Sequence, residues 1–482
     1  MRKLTAFILS AVLLAAFLVS CAAQPAQQPQ NSASATVLKP VGEKVAITFF
    51  SKPYFASTGE ENPFEQQLIA AFNQQHPEIT VNFVGLEVGA SGEEALLSAG
   101  ASGQVDVLYD SAERLAAYAR DGKLADLGSL LTDEVKKDMP ENVALASTVN
   151  GKAYMIPLSV SPYLMAFNKE LLEKAGILNL LPYERSADRS WTAEEYTALL
   201  TAMKEKLPEG VAPGVVYAKS SAGDAATRSL MVNLYGAEFI KEDYSGYSIG
   251  GKQGEDAFAW LNKAVQDGLL TVDAEKAAAD TVKDFIDGKT AHTLLYTVGL
   301  KNNYADSKKD GFTEILMPYP GQSGIKPSLE YTLAGAAVFD NGDAKRVEAA
   351  KTFIDFLAND RQWSRILAVS TGGLSPRLSK DELRYDPEFA YAESLRPLFG
   401  RCLPLAEGYD VMQTYWFTAL SAAAEKDAKT ADILAAFVKN ADQTVADAVK
   451  QREDAAKKAA EEAASSSGST SAGANSADAS SK

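Results

Sequence analysis

The sequence predicts an α/β fold, a largely parallel sheet with helices on both faces. Three observations carry this expectation. Short apolar, β-rich runs alternate with helical patterns along the first part of the body. Those helical patterns stop at proline or glycine, as independent helices do. The chain, 482 residues long, is also too much for a single core, so two domains are expected.

The elements can be read in order. "VAITFF" (Val45 to Phe50) is apolar and β-rich. "NPFEQQLIAAFNQQHP" puts Phe64, Leu68, Ile69 and Phe72 on one helical face and stops at Pro77. "ITVNFV" (Ile79 to Val84) is a second strand, "GEEALLSAGAS" a helix, and "VDVLY" (Val105 to Tyr109) a third strand. "AERLAAYARDG" is a helix closed by Gly122. In such sheets ligands bind beyond the carboxyl ends of the strands, here "FFSKPYF" and "VLYDSAER". Further on, Asn150-Gly151 reads as a hairpin turn, followed by a strand, a proline break, a second strand and a helix from Lys169. Thr192 is an N-cap with Glu195 in the capping-box position.

The two ends differ from the body. Met1-Arg2-Lys3 and the apolar run Leu4 to Val19 have the layout of a secretory signal. "LVSC" ends it at Cys21, and the Gln/Pro/Ser/Ala stretch that follows reads as a flexible tether. "LVSC" before such a tether resembles the lipobox of bacterial lipoproteins, which implies cleavage before Cys21 and lipid attachment to it. Cys402, the other cysteine, is then an unpaired, buried small hydrophobe. At the other end, "AVKQREDAAKKAAEEAA" leads into a Ser/Gly/Ala tail, and 450–482 is expected to be disordered.

Composition excludes several functions. The formal charge of −16 makes nucleic acid an unsuitable partner. Two histidines, His76 and His292, preclude a multi-histidine metal site. The motifs of serine hydrolases, dithiol redox enzymes and phosphate-binding loops are absent from the sequence. A glycoside hydrolase needs only two suitably placed carboxylates, and 63 acidic residues leave that alternative open.

Several stretches, in order, resemble family 1 extracellular solute-binding proteins, the carbohydrate-capturing subunits of ABC importers, related to maltose-binding proteins. They are "DVLYDSAERLAAYARDGKLADL", "VNGKAYMIPLSVSPYLMAFNKELLEKAGI", "DFIDGKTAH", "AKRVEAAKTFIDFLAND" and "TGGLSPR", and the likeness spans roughly Val45 to Val445. The resemblance implies the type II periplasmic-binding-protein fold, with two discontinuous α/β lobes, a hinge and a ligand cleft. The expected division is a signal peptide at 1–20 and a lipidated linker at 21–40. One lobe would hold 41–157 plus about 335–380, and the other about 158–334 plus 381–449. Crossings are expected in "IPLSVSPY", near Tyr331 to Phe339 and around Arg377 to Tyr385.

Aromatic faces cover a sugar ring's C–H surface, while carboxylates, amides and cations bind its hydroxyls. Carried over on the family pattern, the ligand-binding residues are Ser51, Lys52 and Tyr54 after the first strand, and Asp110, Glu113 and Arg114 after the third. Ser161, Tyr163 and Tyr331 lie at the crossings. Trp416, in "QTYWFTAL", matches the family's stacking aromatic. The maltose-binding branch has an aromatic where Asp110 stands and an acid where Ser161 stands, so malto-oligosaccharide is not implied. Tyr296 replaces a family glycine and is expected to supply a platform of its own. The resemblance implies a non-enzymatic, cofactor-free, metal-free monomer. It would be lipid-anchored to the outer face of the cell membrane or face a periplasm, and would pass a sugar to a membrane permease. A peptide, polyamine or other solute is the alternative ligand.

Overall fold

A computed structural model describes residues 44–51, 63–87, 90–219, 223–308, 311–379 and 386–470. The signal, Cys21, the tether, Lys52, Tyr54 and the last part of the tail lie outside the described residues, as does part of the third crossing.

The N-terminal alternation forms as its periodicity predicts. β1 (Val45–Ser51) buries Ile47, Phe49 and Phe50. α1 (Pro63–Gln75) turns Leu68 and Phe72 inward, and the Phe72 ring meets Phe353 and Phe356 at 5.0 and 5.4 Å. β2 (Ile79–Gly85), α2 (Ala90–Ala101), β3 (Val107–Ser111) and α3 (Ala112–Arg120) complete the series. β1 pairs in parallel with both β2 and β3. Buried Asp106 pins the end of this unit. It accepts from Thr48 N–H at 2.8 Å, from Arg346 Nη2 at 2.8 Å and from Asn341 at 2.7 Å.

The sheet is parallel only in part. Strand Tyr331–Val338 runs antiparallel to β3 and to strand Ile156–Pro162, giving the order β2, β1, β3, 331–338, 156–162. Strand 331–338 arrives by a long return and runs against the others, while strand 156–162, antiparallel to it, points the same way as β3. The register shifts at Ala334/Gly335. A Cβ on Gly335 would lie 2.5 Å from the Ile156 carbonyl oxygen, so this bulge needs glycine.

The chain leaves this sheet at Tyr163. The next strand, Leu164–Asn168, is the middle of a second, antiparallel sheet between His292–Tyr296 and Glu314–Met317. These two sheets are the cores of a two-lobed α/β fold. Tyr163 N–H bonds the Glu330 carbonyl at 2.9 Å, so the outgoing and returning segments cross side by side. A third segment joins them where Leu374 and Val160 exchange hydrogen bonds of 2.7 and 3.0 Å.

Local signals are realised where short-range chemistry decides them. Asn150 and Gly151 both take positive φ (51° and 76°) in their hairpin. Thr192 Oγ1 accepts from Glu195 N–H, and Glu195 Oε2 accepts from Thr192 N–H. Cys402 is buried and free. The expectation of disorder from residue 450 is corrected. Helix Thr430–Thr470 runs unbroken through the Ala/Glu/Lys segment. Its first half is packed through Leu434, Phe437 and Ala441, and a helix nucleated this way propagates easily through strong helix formers. Among the described residues no helix is long and apolar enough to cross a membrane.

His292 sits in the second sheet, packed as its apolar surroundings predict. Its ring stacks on Phe167 at 5.1 Å. Nδ1 lies 2.7 Å from the Pro213 carbonyl, so it carries the proton, and Nε2 accepts from Tyr196 O–H at 2.8 Å. A Cβ on Gly214 would fall 2.2 Å from the ring, so only glycine fits beside it. Burial drives the His292 pKa down to about 4, against the opposing Pro213 hydrogen bond. The unfolded chain therefore binds this proton first. Stability is complete above about pH 6.5 and falls by roughly 3 kcal/mol as pH drops toward 4. In an NMR titration the His292 ring should show a midpoint near pH 4. A midpoint near the ordinary value would show that the ring is not sealed.

Candidate functional site

α3 is the first wall of the candidate site. Its inner face buries Ala112, Leu115 and Ala116 against the sheet. Helical periodicity then turns Glu113, Arg114, Ala117 and Arg120 outward, where they line a groove of about 720 Å³. The opposite wall comes from helix Tyr409–Ala423 through Tyr409 and Tyr415, and from helix Thr430–Thr470 through Asn440, Gln443 and Asp447. The segment Pro404 to Gly408 lies across the groove, and Arg120 donates to the Leu405 carbonyl.

Two of the charges in the groove are paired. Arg114 Nε lies 3.1 Å from Asp110 Oδ2. Arg452 Nε donates to Glu407 at 3.0 Å. Glu113 keeps an exposed edge at the groove, yet protein packed around its carboxyl raises its pKa. The Asp110 charge adds to that shift, while its own hydrogen bonds and Arg114 oppose it.

Behind the groove lies a buried ionic cluster. Arg228, wholly buried on helix Ala225–Tyr235, pairs with Asp224 one turn earlier and grips Glu330 through Nε (2.7 Å) and Nη2. Tyr409 O–H donates to Asp224 Oδ1 at 2.5 Å, which fixes the ring that faces the groove. Burial works against the guanidinium charge, and the Glu330 charge and hydrogen bond hold it protonated.

The expected site residues separate into four groups. Glu113 and Arg114 line the groove, and Asp110 is buried directly behind them. Ser51 is buried at the end of β1. Ser161, Tyr163 and Tyr331 meet at the crossing, where Tyr331 stacks on Phe399 at 4.5 Å and Ser161 Oγ has no hydrogen-bond partner among the described residues. Tyr296 and Trp416 are core residues, which corrects their expected role as platforms. Tyr296 is 0% exposed and packs edge-on to Phe285 at 5.7 Å, because its strand turns it toward helix Ala278–Ile286. Trp416, also 0% exposed, packs edge-on among Phe239, Phe258 and Phe437 and donates from Nε1 to Thr227 at 2.9 Å. The neighbouring Tyr415 faces the groove, one helical step of about 100° away.

Sequence reading missed Tyr415, Tyr409, Arg120 and the Arg228 cluster. Arg120 was within reach, since it follows Glu113 by seven residues on the same helical face. The i,i+4 pair Asp224/Arg228 in the apolar run "GDAATRSLMVNL" was also a signal, because a charge there must be paired.

Two α/β lobes with crossing segments and a polar, aromatic-edged groove define a solute-binding protein of the periplasmic type. The chain belongs to the bacterial extracellular solute-binding protein family, whose family model matches residues 56–362. A binding protein of Brucella abortus is 25% identical over 338 residues, covering 69% of this chain and 76% of that protein. Among solved structures, the sugar-binding protein MalE of Xanthomonas citri superposes with a TM-score of 0.68 at 17% identity, covering 84% of this chain and 98% of that one. The cyclic α-maltosyl-1,6-maltose binding protein of Arthrobacter globiformis gives 0.67 at 19% identity, covering 83% and 99%. Likeness at this level of identity speaks to the fold alone.

The burial of Trp416 makes a stability prediction. Trp416→Ala removes a fully buried ring and its hydrogen bond, and should cost about 3–5 kcal/mol in urea unfolding. A loss below about 1 kcal/mol would remove Trp416 from the core.

Proposed function

We propose that this chain is the lipid-anchored substrate-binding component of an ABC importer, capturing a sugar or oligosaccharide in the groove and delivering it to a membrane permease. The observation that carries the reading is the composition of that groove. Tyr409 and Tyr415 offer ring surfaces, while Glu113, Arg114 and Arg120 with Asn440 and Gln443 offer acceptors and donors for hydroxyls. The pairing of Asp110 with Arg114 and of Glu407 with Arg452 neutralises part of the groove's charge, while Glu113, Asp410 and Asp447 against Arg120 leave it acidic, which suits the donors of a hydroxyl-rich ligand. A groove of this size falls in the range of small-molecule sites. The sugar ligands named for the similar solved structures agree with the choice of class.

Anchoring rests on Cys21 and the signal layout before it. One acyl chain holds a protein marginally and several hold it firmly, so a multiply acylated cysteine would keep the domain on the membrane's outer face. The Gln/Pro/Ser tether then gives the lobes reach toward a permease. In this reading the protein is a binder that releases its ligand unchanged.

Two experiments test this reading. Tyr415→Ala should weaken saccharide binding by about 1–3 kcal/mol, roughly 5- to 150-fold in calorimetry, with the melting temperature of the free protein held, because Tyr415 is partly exposed. Unchanged affinity for every bound saccharide would take the ligand out of the groove. Cys21→Ala should move the protein from the membrane pellet to the soluble fraction, and a variant that pellets as fully as the parent would refute lipid attachment there.

A further inference from the structure

Another chamber, of about 400 Å³, shares no lining residue with the groove. It opens between helix Ala225–Tyr235, the loop from Gly321 to Glu330, and the start of the segment that lies across the groove. That segment, Phe399 to Gly408, works as a strap. Leu403 faces the chamber and Pro404 faces the groove. The strap is fastened on both sides. Asn142 Nδ2 donates to the Phe399 carbonyl at 2.9 Å, Gly400 N–H to Leu329 at 2.9 Å, Arg401 Nη1 to Ile240 at 3.1 Å, and Arg120 to Leu405. The separation of the two spaces is therefore held by hydrogen bonds along the strap.

We propose that this chamber is a second ligand site, taking a neutral, hydroxyl-rich molecule of about monosaccharide size. Its wall carries an unfilled polar position. Ser229 Oγ is buried, its residue only 1% exposed, and it has no hydrogen-bond partner among the described residues. Buried hydroxyls are ordinarily bonded, so a ligand hydroxyl is the natural partner. Beside it the Glu330 carboxylate is held by Arg228 on both oxygens. Each carboxylate oxygen has two acceptor positions, so Glu330 can still accept from a ligand O–H. The chamber's formal charge is balanced, with Glu238 and Glu330 against Lys326 and Arg401, and such a wall selects a neutral guest. The volume lies at the small end of ligand sites. This inference stands apart from the groove reading, since none of its residues is shared.

The test measures binding of D-glucose, D-galactose and D-mannose to the full chain by saturation-transfer NMR and calorimetry. Three variants are compared with the parent: Ser229→Val, which deletes the hydroxyl; Ile325→Trp, which fills the chamber from an exposed position; and Tyr415→Ala in the groove. At least one hexose should bind the parent. Ser229→Val and Ile325→Trp should each weaken, tenfold or more, a hexose-binding step that Tyr415→Ala leaves unchanged. Thermal melts confirm that each variant is folded, and Ile325→Trp carries the test if Ser229→Val is not. The proposal is overturned if no hexose binds the parent. It is equally overturned if hexose binding is lost with Tyr415→Ala and kept in the chamber variants, or if a sugar acid such as D-gluconate binds in their place.

Discussion

A wholly buried arginine sets the terms for the centre of this molecule. Arg228 cannot lose its proton and cannot reach water, so it must be paired inside the protein. Its partners come from three places in the chain. Asp224 is on its own helix, Glu330 is at the return crossing, and Tyr409 opens the helix that walls the groove. Removing one partner of such a pair typically costs 3–5 kcal/mol, because the other charge is left buried. The cluster therefore fixes where the crossing segment and the Tyr409–Ala423 helix sit relative to helix Ala225–Tyr235. The groove and the second chamber inherit that placement, one through Tyr409 and the other through Glu330.

The same cluster explains how much of the site could be read from the chain. Glu330 and Tyr409 lie 102 and 181 residues from Arg228, and no local pattern reports a pairing at that range. Elements decided within a few residues were legible. The β1–α3 alternation, the Asn150-Gly151 hairpin and the Thr192 capping box all follow from neighbours in sequence. The largely parallel sheet was legible apart from strand Tyr331–Val338, which enters by a long return and runs against its neighbours. Glu113 and Arg114 were carried over on the family pattern, and they line the groove beyond the carboxyl end of β3.

Trp416 failed for a different reason. The aromatic run was correctly noticed, but a helix separates adjacent positions by about 100°, so choosing the wrong member exchanges a core residue for a surface one. The phase could have been set by the buried series Met412, Trp416, Ala419, Leu420 and Ala423, which repeats at helical spacing. With that series inward, Val411 and Tyr415 point away, as their exposure records. Tyr296 shows the limit of substitution logic. An aromatic in place of a glycine does not become a platform when its strand aims it at Phe285.

The strap gives the groove a further property. It is bonded to Arg120 of the first wall and to Asn142, and through its own residues to Leu329 and Ile240. Any widening of the groove that carries α3 away must break the Arg120–Leu405 and Asn142–Phe399 bonds, or else tear the strap from the second lobe. Bonds of this kind contribute about 0.5–1.5 kcal/mol each, more where a charge is involved. Together they bias the equilibrium by a few kcal/mol, the size of gap that leaves a minor conformer at 0.1–10%. A ligand bridging Glu113 and Tyr415 would add its own contacts across the same gap, to the arrangement that the strap already holds.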